Sequence, residues 1–405
     1  MKRFRRLLFW LHLFSGVTAG AVILIMSGTG VILALKPQIQ NWMDRDVRYV
    51  TPQPARLGMQ ELLSAIKSAK PESSPQSLTL ARDPALAVTV GMGPGGNLYV
   101  NPYTGAVLGS GSLRTTEFFQ SMANWHRYLA MSGESRATGR SITGISNAAF
   151  LVLALSGLYI WWPRQFTRRA LTPIVWFRRT STGRARDFNW HNTIGFWCLV
   201  PIVIMTTSGV VMSYPWANDL VYRLSGSPVP VRGQRAEGRT AREGGAQAVV
   251  MPAQLDRIWA RAAAQIPSWS ILTMRLPARE GAPVAFTITD GAHWNRFARS
   301  NLTVNSASGD VVQWQPYDGN SLGQRVRGWL RFAHTGELGG LPGQLLAGVG
   351  CLGGVFLVYT GLSLAFRRLW NWTLWKRLGA STPRRPRTVS TALPPSSARV
   401  PDAGA

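Results

Sequence analysis

The feature that most constrains this chain is a histidine near the start of an apolar run, and the chain carries that arrangement twice. After His12 and after His191, a glycine follows at four residues, a methionine at fourteen and a second glycine at eighteen. A polar ring inside an apolar span is costly, so its recurrence at the same depth predicts one shared role for the two histidines.

Four apolar segments predict membrane-spanning helices: about 7–35, 145–162, 193–214 and 345–366. Each has about the 20 residues that an α-helix needs to cross a hydrocarbon core of roughly 30 Å. The remaining sequence is polar and rich in Gly, Pro and Arg. We therefore predict an α-helical membrane protein with four transmembrane helices that lies in a lipid bilayer.

The distribution of positive charge predicts the orientation. A net charge of +26 would suggest a nucleic-acid partner in a soluble chain. The arginines instead crowd the short flanks before the first span, between the second and third, and after the fourth. Such flanks mark the cytoplasmic side. We expect both termini and the 163–189 loop in the cytoplasm, the long connections 37–140 and 215–340 outside the membrane, in a periplasm if the cell is Gram-negative, and no nucleic-acid partner.

Two features at the level of single residues support this topology. The first apolar run lacks a small-x-small cleavage pattern, which favours an uncleaved helix over a secretory signal. The only cysteines, Cys198 and Cys351, fall inside spans three and four. They are expected to be packing residues, so no disulfide framework is predicted for the exterior parts.

Each exterior connection predicts a small α+β module. Helical spacing at 59–69 precedes strand patterns at 77–80, 87–91, 97–100 and 106–108, and helical spacing at 255–265 precedes strand patterns at 271–276, 284–289 and 301–304. The Arg-, Gly- and Ser-rich stretch 223–250 is predicted to be a flexible linker, and the Pro- and Ser-rich tail beyond about 379 to be disordered.

The membrane segments repeat as well, because Ser156-Gly157-Leu158 and Thr360-Gly361-Leu362 end spans two and four with an arginine seven residues after the glycine. We interpret the chain as a tandem duplication. The predicted divisions are helix one (1–40), periplasmic module one (41–120), an outer histidine segment with helix two (121–163), a basic cytoplasmic loop (164–189), helix three (190–216), a flexible linker with periplasmic module two (217–330), a second outer histidine segment with helix four (331–368), and a cytoplasmic tail (369–405).

Four of the five histidines form a pattern in this topology. Helices one and three run outward, which places His12 and His191 at the cytoplasmic side, whereas His126 and His334 precede helices two and four at the outer side. A duplicated chain pairs equivalent residues across a pseudo-twofold axis. Two pairs of neutral imidazoles suit two six-coordinate b-type haems with bis-histidine ligation. The absence of Cys-x-x-Cys-His excludes covalent attachment.

Neighbouring residues fit the same hypothesis. Gly16 and Gly195 follow their histidines by one helical turn and would leave room for a flat macrocycle. Arginines flank the histidines and could pair with haem propionates; those nearest the outer histidines are Arg127, Arg140 and Arg331.

Plainer interpretations stand beside the haem hypothesis. Small residues in membrane helices also serve close packing, and a histidine at a membrane edge can be an interfacial hydrogen-bonding residue. Zinc is disfavoured because Cys and carboxylate partners are missing at these depths. His293, beside Trp294, has no partner, and we expect it to be an ordinary surface residue.

The motifs together resemble those of the PepSY-associated transmembrane family over about residues 1–370. They are Leu11-His12-x-x-x-Gly16, His126-Arg127-x-Leu129 with Gly139-Arg140, Ser156 to Arg164, and His334-Thr335-Gly336-Glu337. The module ending Tyr99–Gly105 is similar to that of PepSY domains. The resemblance implies a bacterial inner-membrane protein tied to iron acquisition, in a family that includes ferric-siderophore reductases. The family's histidines fall on His12, His126, His191 and His334. The fourth helix departs from the pattern, since Gly343-Gln344 stands where Gly139-Arg140 would recur.

The main functional hypothesis is an oxidoreductase that carries electrons across the membrane. An inner haem on His12 and His191 would take electrons from an unidentified cytoplasmic, flavin or quinol donor. An outer haem on His126 and His334 would deliver them to a periplasmic ferric siderophore and so release Fe(II). The alternative is a non-redox scaffold whose modules bind a periplasmic partner. A permease is disfavoured because the spans are expected to lack buried charged residues.

Overall fold

The computed structural model describes residues 2–71, 74–93, 96–163, 165–179, 182–230, 254–277, 279 and 281–379. Its α-helices are α1 (Lys2–Ala34), α2 (Lys36–Met43), α3 (Arg45–Arg48), α4 (Met59–Ala69), α5 (Leu113–Tyr128), α6 (Arg136–Trp161), α7 (Arg168–Val175), α8 (Gly183–Ser213), α9 (Pro215–Leu224), α10 (Leu255–Gln265), α11 (Leu322–His334) and α12 (Gly340–Gly379). Its strands are β1 (Ser77–Ala81), β2 (Val88–Gly91), β3 (Asn97–Val100), β4 (Val107–Ser110), β5 (Trp269–Arg275), β6 (Val284–Asp290), β7 (Arg299–Val304) and β8 (Val311–Gln315). Short 3-10 turns lie at Gly133–Ser135, Tyr317–Gly319 and Glu337–Gly339.

Four helices are long and apolar enough to cross a membrane, which confirms the predicted spans. They are Arg3–Ala34, Gly133–Trp161, Gly183–Ser213 and Glu337–Trp370. Each is longer than its apolar segment, because the polar flanks continue the helix and keep the backbone hydrogen bonds within it. In the bundle, α1 packs against α6 and α12, and α8 packs against the same two helices. The four helices therefore form a ring with α1 opposite α8.

The strands form one eight-stranded sheet in the order β4-β3-β2-β1-β5-β6-β7-β8. Two separate modules were expected, and the structure instead joins them by antiparallel pairing of β1 with β5, from Ser77↔Arg275 to Ala81↔Ile271. These strands are the first of each module. An unpaired edge strand exposes a row of backbone donors and acceptors, and the pairing removes two such edges at once. Strand β8 was not anticipated from the sequence.

Helices α4 and α10 cover one face of the sheet and close a single hydrophobic core. Leu62 and Ile66 of α4, Ile258 of α10, and Leu272 of β5 are completely buried there. The two halves also share a polar contact: the Asp256 carboxylate, on α10, accepts hydrogen bonds from the first backbone N–H groups of α4. A carboxylate at a helix N-terminus is favourable for charge as well as for hydrogen bonding.

The opposite face of the sheet is turned toward one end of the helix bundle. Tyr99 on that face donates a hydrogen bond to Asp44, which lies between α2 and α3, at 3.0 Å. Arg299 on the same face lies 5.9 Å from the ring centroid of Phe332 in α11. We call this end of the bundle the sheet end and the opposite end the far end. The chain enters the sheet end of each half through a connecting helix, α5 or α11, before the membrane helix begins.

Two sequence predictions fall largely outside the described residues. Of the 223–250 linker, only residues 223–230 are described, and α9 ends within them at Leu224. The tail beyond 379 is not described. The basic 164–189 loop contains α7 and the first turns of α8.

The joined core predicts that one buried residue at the seam stabilises both halves. Leu272→Ala should lower the opening free energy of β1 and β5 by about 2–5 kcal/mol, since it removes a completely buried side chain. The matched control is the adjacent Ile271, which is 43% exposed on the other face of the sheet. Ile271→Ala should change the opening free energy of β1 and β5 by less than about 0.5 kcal/mol. Amide hydrogen exchange of the full-length protein measures both. A loss confined to β5–β8 would contradict the shared core.

Candidate functional site

Two histidines meet across the far end of the bundle. His12 is on α1 and His191 is on α8, which are opposite members of the helix ring. Their ring centroids lie 6.3 Å apart, with the ring planes at 79°. We call them the far-end pair. The two rings approach each other edge to face.

A second pair repeats this geometry at the sheet end. His126 is near the C-terminus of α5, and His334 is the last residue of α11. Their ring centroids are also 6.3 Å apart, with the planes at 73°. We call them the sheet-end pair. The sequence placed these histidines in the approach to the membrane helices, and the structure gives each approach a helix of its own.

The Nδ1 atom of each ring is bound to a neighbouring membrane helix, and the four contacts are of two kinds. In the far-end pair, His12 meets the Ser156 hydroxyl and His191 meets the Thr360 hydroxyl, each at 2.9 Å. In the sheet-end pair, His126 donates to the Met26 carbonyl and His334 to the Met205 carbonyl, each at 2.9 Å, with hydroxyl contacts to Thr29 at 3.1 Å and Ser208 at 3.0 Å.

These contacts determine which ring nitrogen is free. A carbonyl can only accept, so Nδ1 of His126 and of His334 carries the proton. The Thr360 hydroxyl donates to the Phe356 carbonyl at 2.7 Å, so its oxygen is left to accept from His191 Nδ1. The Ser156 hydroxyl lies 2.9 Å from His12 Nδ1 and 3.3 Å from the Leu153 carbonyl. The hydrogen-bond network therefore assigns an unprotonated Nε2, with its lone pair, to His126, His191 and His334.

Burial keeps the sheet-end pair neutral. It lowers the pKa of His126 to about 4, assisted by the nearby His334 and Arg127, and it lowers the pKa of His334. Both rings are therefore uncharged at neutral pH. A neutral imidazole is the form that binds a metal.

Glycines let three of the four rings pack close to a neighbouring helix. A Cβ atom placed on Gly157 would lie 3.4 Å from His12 Cε1, and one on Gly361 would lie 3.3 Å from His191 Cε1. At the sheet end, a Cβ on Gly30 would lie 2.7 Å from Cys351 Sγ and 3.6 Å from His126 Cε1. Gly16 and Gly195, which the sequence singled out, instead face Leu153 and Leu357 of the neighbouring helices.

A close helix contact holds each histidine of the sheet-end pair in place. The chain turns after α5 through Leu129 (φ 51) and Ala130 (φ 58), a left-handed conformation that is costly for residues with a side chain. A Cβ on Gly139 of α6 would lie 2.2 Å from the Tyr128 carbonyl oxygen. Gly343 of α12 has the same role, because its Cβ would lie 2.3 Å from a carbonyl oxygen just after the end of α11.

The predicted arginines lie at the sheet end with exposed side chains. Arg127 lies over the Tyr128 ring at 5.1 Å, and Arg331 over the Phe332 ring at 5.8 Å. Arg140 approaches the last carbonyls of α8 at 3.4 and 3.5 Å. At the matching position on α12, Gln344 is buried and accepts a hydrogen bond from Gln38. The two halves therefore differ in charge at this level.

The chemistry that the pairs can perform follows from their composition. Within the described ranges, no group of three or more His, Cys, Asp or Glu side chains could hold a metal ion. Each pair offers two imidazole side chains whose ring centroids are 6.3 Å apart. A metal held there must bring its remaining ligands with it, which excludes a structural zinc site with four protein ligands.

Sequence reasoning missed a buried carboxylate near the far-end pair. Asp187 is 1% exposed on α8, one turn before His191. It accepts hydrogen bonds from Ser363 at 2.7 Å and Arg186 at 3.0 Å, and Arg367 lies 3.8 Å away. Asp187 lies in the predicted 164–189 loop, outside the predicted span 193–214, and the structure makes it part of α8. Its signal was the spacing of four residues from His191, which places both side chains on one helix face.

The expectation that His293 has no partner is wrong. Its Nδ1 accepts a hydrogen bond from the Asn295 backbone at 3.0 Å, and its Nε2 lies 3.7 Å from the Asp318 carboxylate. The ring stacks on Trp294 and meets the edge of Tyr317. His293 is thus a structural residue of the β6–β7 loop.

Comparison with known protein families gives a match over most of the chain. The model of the family described as "PepSY-associated TM region" matches residues 9–368, which include all four paired histidines and the whole sheet. No curated protein matches the chain.

The contact at Gly139 predicts a selective loss of stability. Gly139→Ala should lower the free energy of unfolding by at least about 1–3 kcal/mol, because the added methyl group meets backbone. Gly28→Ala is the matched control on α1, where a Cβ meets nothing within 4 Å, and it should cause no loss. Thermal unfolding midpoints in detergent compare the two. Equal midpoints would contradict the described approach of α5 to α6.

Proposed function

This chain belongs to the PepSY-associated TM region family, and on that premise we propose that it is a di-haem electron-transfer protein of a bacterial inner membrane. In this proposal it passes electrons from the cytoplasmic side or the quinol pool to a periplasmic ferric siderophore. Reduction to Fe(II) weakens binding by hard oxygen donors, so the siderophore releases its iron.

The observation that supports this most strongly is the 6.3 Å separation within both histidine pairs. A metal–imidazole bond is about 2 Å long, so two such bonds account for about 4 Å. The distance from each ring nitrogen to its ring centre supplies the rest. Both pairs have this spacing, one at each end of the helix bundle.

The positions of the pairs suit transfer across a membrane. His126 contacts Met26 and Thr29, which lie 14 and 17 residues beyond His12 on α1. At 1.5 Å per residue the two pairs are separated by roughly 21–26 Å along the helix. This is most of the thickness of a hydrocarbon core of roughly 30 Å.

Charge supports the orientation. The far end carries the arginine-rich flanks of the spans, which mark the cytoplasmic side. The far-end pair is then the inner haem site, where electrons enter. The sheet and the sheet-end pair then face the periplasm, where a siderophore would be reduced.

Repeated contacts support a tandem duplication. His12 meets Ser156 as His191 meets Thr360. His126 meets Met26 and Thr29 as His334 meets Met205 and Ser208. Each contact lies within one half of the chain and recurs at the equivalent position of the other half, as a pseudo-twofold axis through the ring of helices would produce.

The residues of the chain would bind and orient the cofactor. A bis-histidine haem supplies one-electron transfer, and the protein supplies its axial ligands, surroundings and access. The Nδ1 hydrogen bonds hold each ring in one orientation and raise the basicity of Nε2. Gly157, Gly361 and Gly30 let the rings pack close to the neighbouring helices. Arg127, Arg140 and Arg331 are the cations available to propionates at the sheet end.

Loss of one histidine should remove one haem and leave the other. His191→Ala and His334→Ala should each retain about one of two haem equivalents, because each disrupts a single pair. His293→Ala is the matched control and should keep both. The haem content of purified protein, measured as the pyridine complex, reports the number. Two haems in either paired variant would refute the assigned ligands.

The hydroxyl at Thr360 should matter beyond its packing. Thr360→Val removes the acceptor for His191 Nδ1 and should weaken haem retention at that pair by about 10–100-fold. Thr360→Ser keeps the hydroxyl and should retain wild-type affinity. Haem transfer to an acceptor protein measures the dissociation rate. If the Val and Ser variants behave alike, the hydroxyl does not orient the ring.

A further inference from the structure

The loop between β6 and β7 is longer than the corresponding loop in the first half of the sheet. It comprises residues 291–298, whereas the corresponding connection between β2 and β3 comprises residues 92–96. The longer loop carries His293, Trp294 and Phe297, which the proposed electron transfer does not use. A difference between otherwise repeated halves indicates a separate role.

Hydrogen bonds of a buried asparagine support this loop, and the tryptophan next to that asparagine is exposed. Asn295 is 3% exposed; its amide donates to the Tyr317 hydroxyl at 2.8 Å and accepts from the Phe297 backbone at 3.0 Å. With this support, Trp294 remains 74% exposed. An indole held out in water by a preorganised loop is unfavourable, so a second surface is expected to cover it.

Contacts of the loop place it at the sheet end of the fourth span. Phe297 stacks on Phe332 of α11 at 3.7 Å and 17°. The Trp294 ring meets the edge of Trp329 at 5.6 Å. The Arg296 guanidinium lies 4.0 Å from the Cβ position of Gly340, the first residue of α12. The loop therefore lies where α12 emerges from the bilayer.

A cleft of about 490 Å³ lies between the loop and this helix end. It is lined by Trp294, Asn295, Arg296, Trp329, Leu338, Gly339, Gly340, Leu341 and Pro342. Leu341 also begins an exposed apolar stripe on α12 at helical spacing, which continues through Leu345, Val349, Leu352 and Phe356. In a membrane this stripe faces acyl chains. The cleft thus opens at the level of the lipid head groups, directly above the acyl chains.

The polar chemistry of the cleft suits a phosphate. Arg296 is its only charged lining residue. Among the described residues, no carboxylate forms an ion pair with it. A guanidinium matches phosphate oxygens in geometry and charge, and tryptophan favours the membrane–water interface.

We propose that this cleft binds an anionic phospholipid of the outer leaflet. The phosphate pairs with Arg296, the indoles of Trp294 and Trp329 pack beside the glycerol region, and the acyl chains follow the stripe below Leu341. A head group without its own cation is preferred, because the lining offers no acid to pair with one. The site fastens the second half of the sheet to the bilayer, independently of haem binding.

Retention of phosphatidylglycerol by the purified full-length protein tests the site. Native mass spectrometry after exchange into nanodiscs of phosphatidylcholine with phosphatidylglycerol compares four proteins. Relative to wild type, Arg296→Gln should retain about fivefold less phosphatidylglycerol, and Arg296→Lys should recover most of it. Arg257→Gln makes the same charge change on α10, above the other sheet face, and should leave retention unchanged.

Two further measurements distinguish a bound phospholipid from a bound phosphate ion and from an effect of haem. Haem content should be equal in all four proteins, so failure of this proposal leaves the electron-transfer proposal untouched. Millimolar inorganic phosphate should not displace the lipid, since the chains contribute to binding. Equal retention by the Arg296→Gln and Arg257→Gln variants would overturn the site, as would displacement by phosphate alone.

Discussion

The bond from each histidine Nδ1 to a neighbouring membrane helix is the interaction on which the rest of this structure depends. It joins α1 to α6 and α8 to α12 at the far end, and α5 to α1 and α11 to α8 at the sheet end. A single hydrogen bond of this kind contributes only about 1 kcal/mol of stability. Its larger effect is directional, because it fixes the orientation of each imidazole ring. In the proposed haem protein, such preorganisation would position the axial ligands.

The sheet can be understood as the consequence of bringing the two halves together. Each half alone would expose the edge of its first strand, and a ring of four helices places these edges side by side. Pairing of β1 with β5 then gives one core under α4 and α10. The sheet keeps α5 and α11 at a common height over the bundle, and those helices carry the second pair of histidines. The sheet therefore both supports and covers the helices that carry the sheet-end pair.

The sequence correctly predicted the elements that depend on a local pattern of residues. Four spans, the helices Met59–Ala69 and Leu255–Gln265, and seven of the strands follow from hydrophobic periodicity. The meeting of His12 with His191 followed from the repeat, because equivalent residues face each other around an axis. The β1–β5 seam could not be predicted, since a strand pattern does not show which distant edge it will pair with.

Sequence reasoning also could not predict which polar side chains are buried or paired. Asp187 resembles a polar flank in sequence, and its partners Ser363 and Arg367 lie far along the chain. His293 looked isolated because Tyr317 and Asp318 reach it only through the fold of the sheet. The glycines next to His12 and His191 are Gly157 and Gly361 on neighbouring helices, whereas the spacing within each helix had indicated Gly16 and Gly195. Each case depends on a contact between distant segments.

The absorption spectrum of the purified full-length protein, oxidised and then reduced with dithionite, tests the central claim most directly. Two bis-histidine haems predict a Soret band that sharpens and shifts on reduction, the α and β bands of six-coordinate iron, and two haems per chain. A protein purified from haem-replete cells without a Soret band would contradict the account. It would leave the four histidines as interfacial residues of a non-redox scaffold.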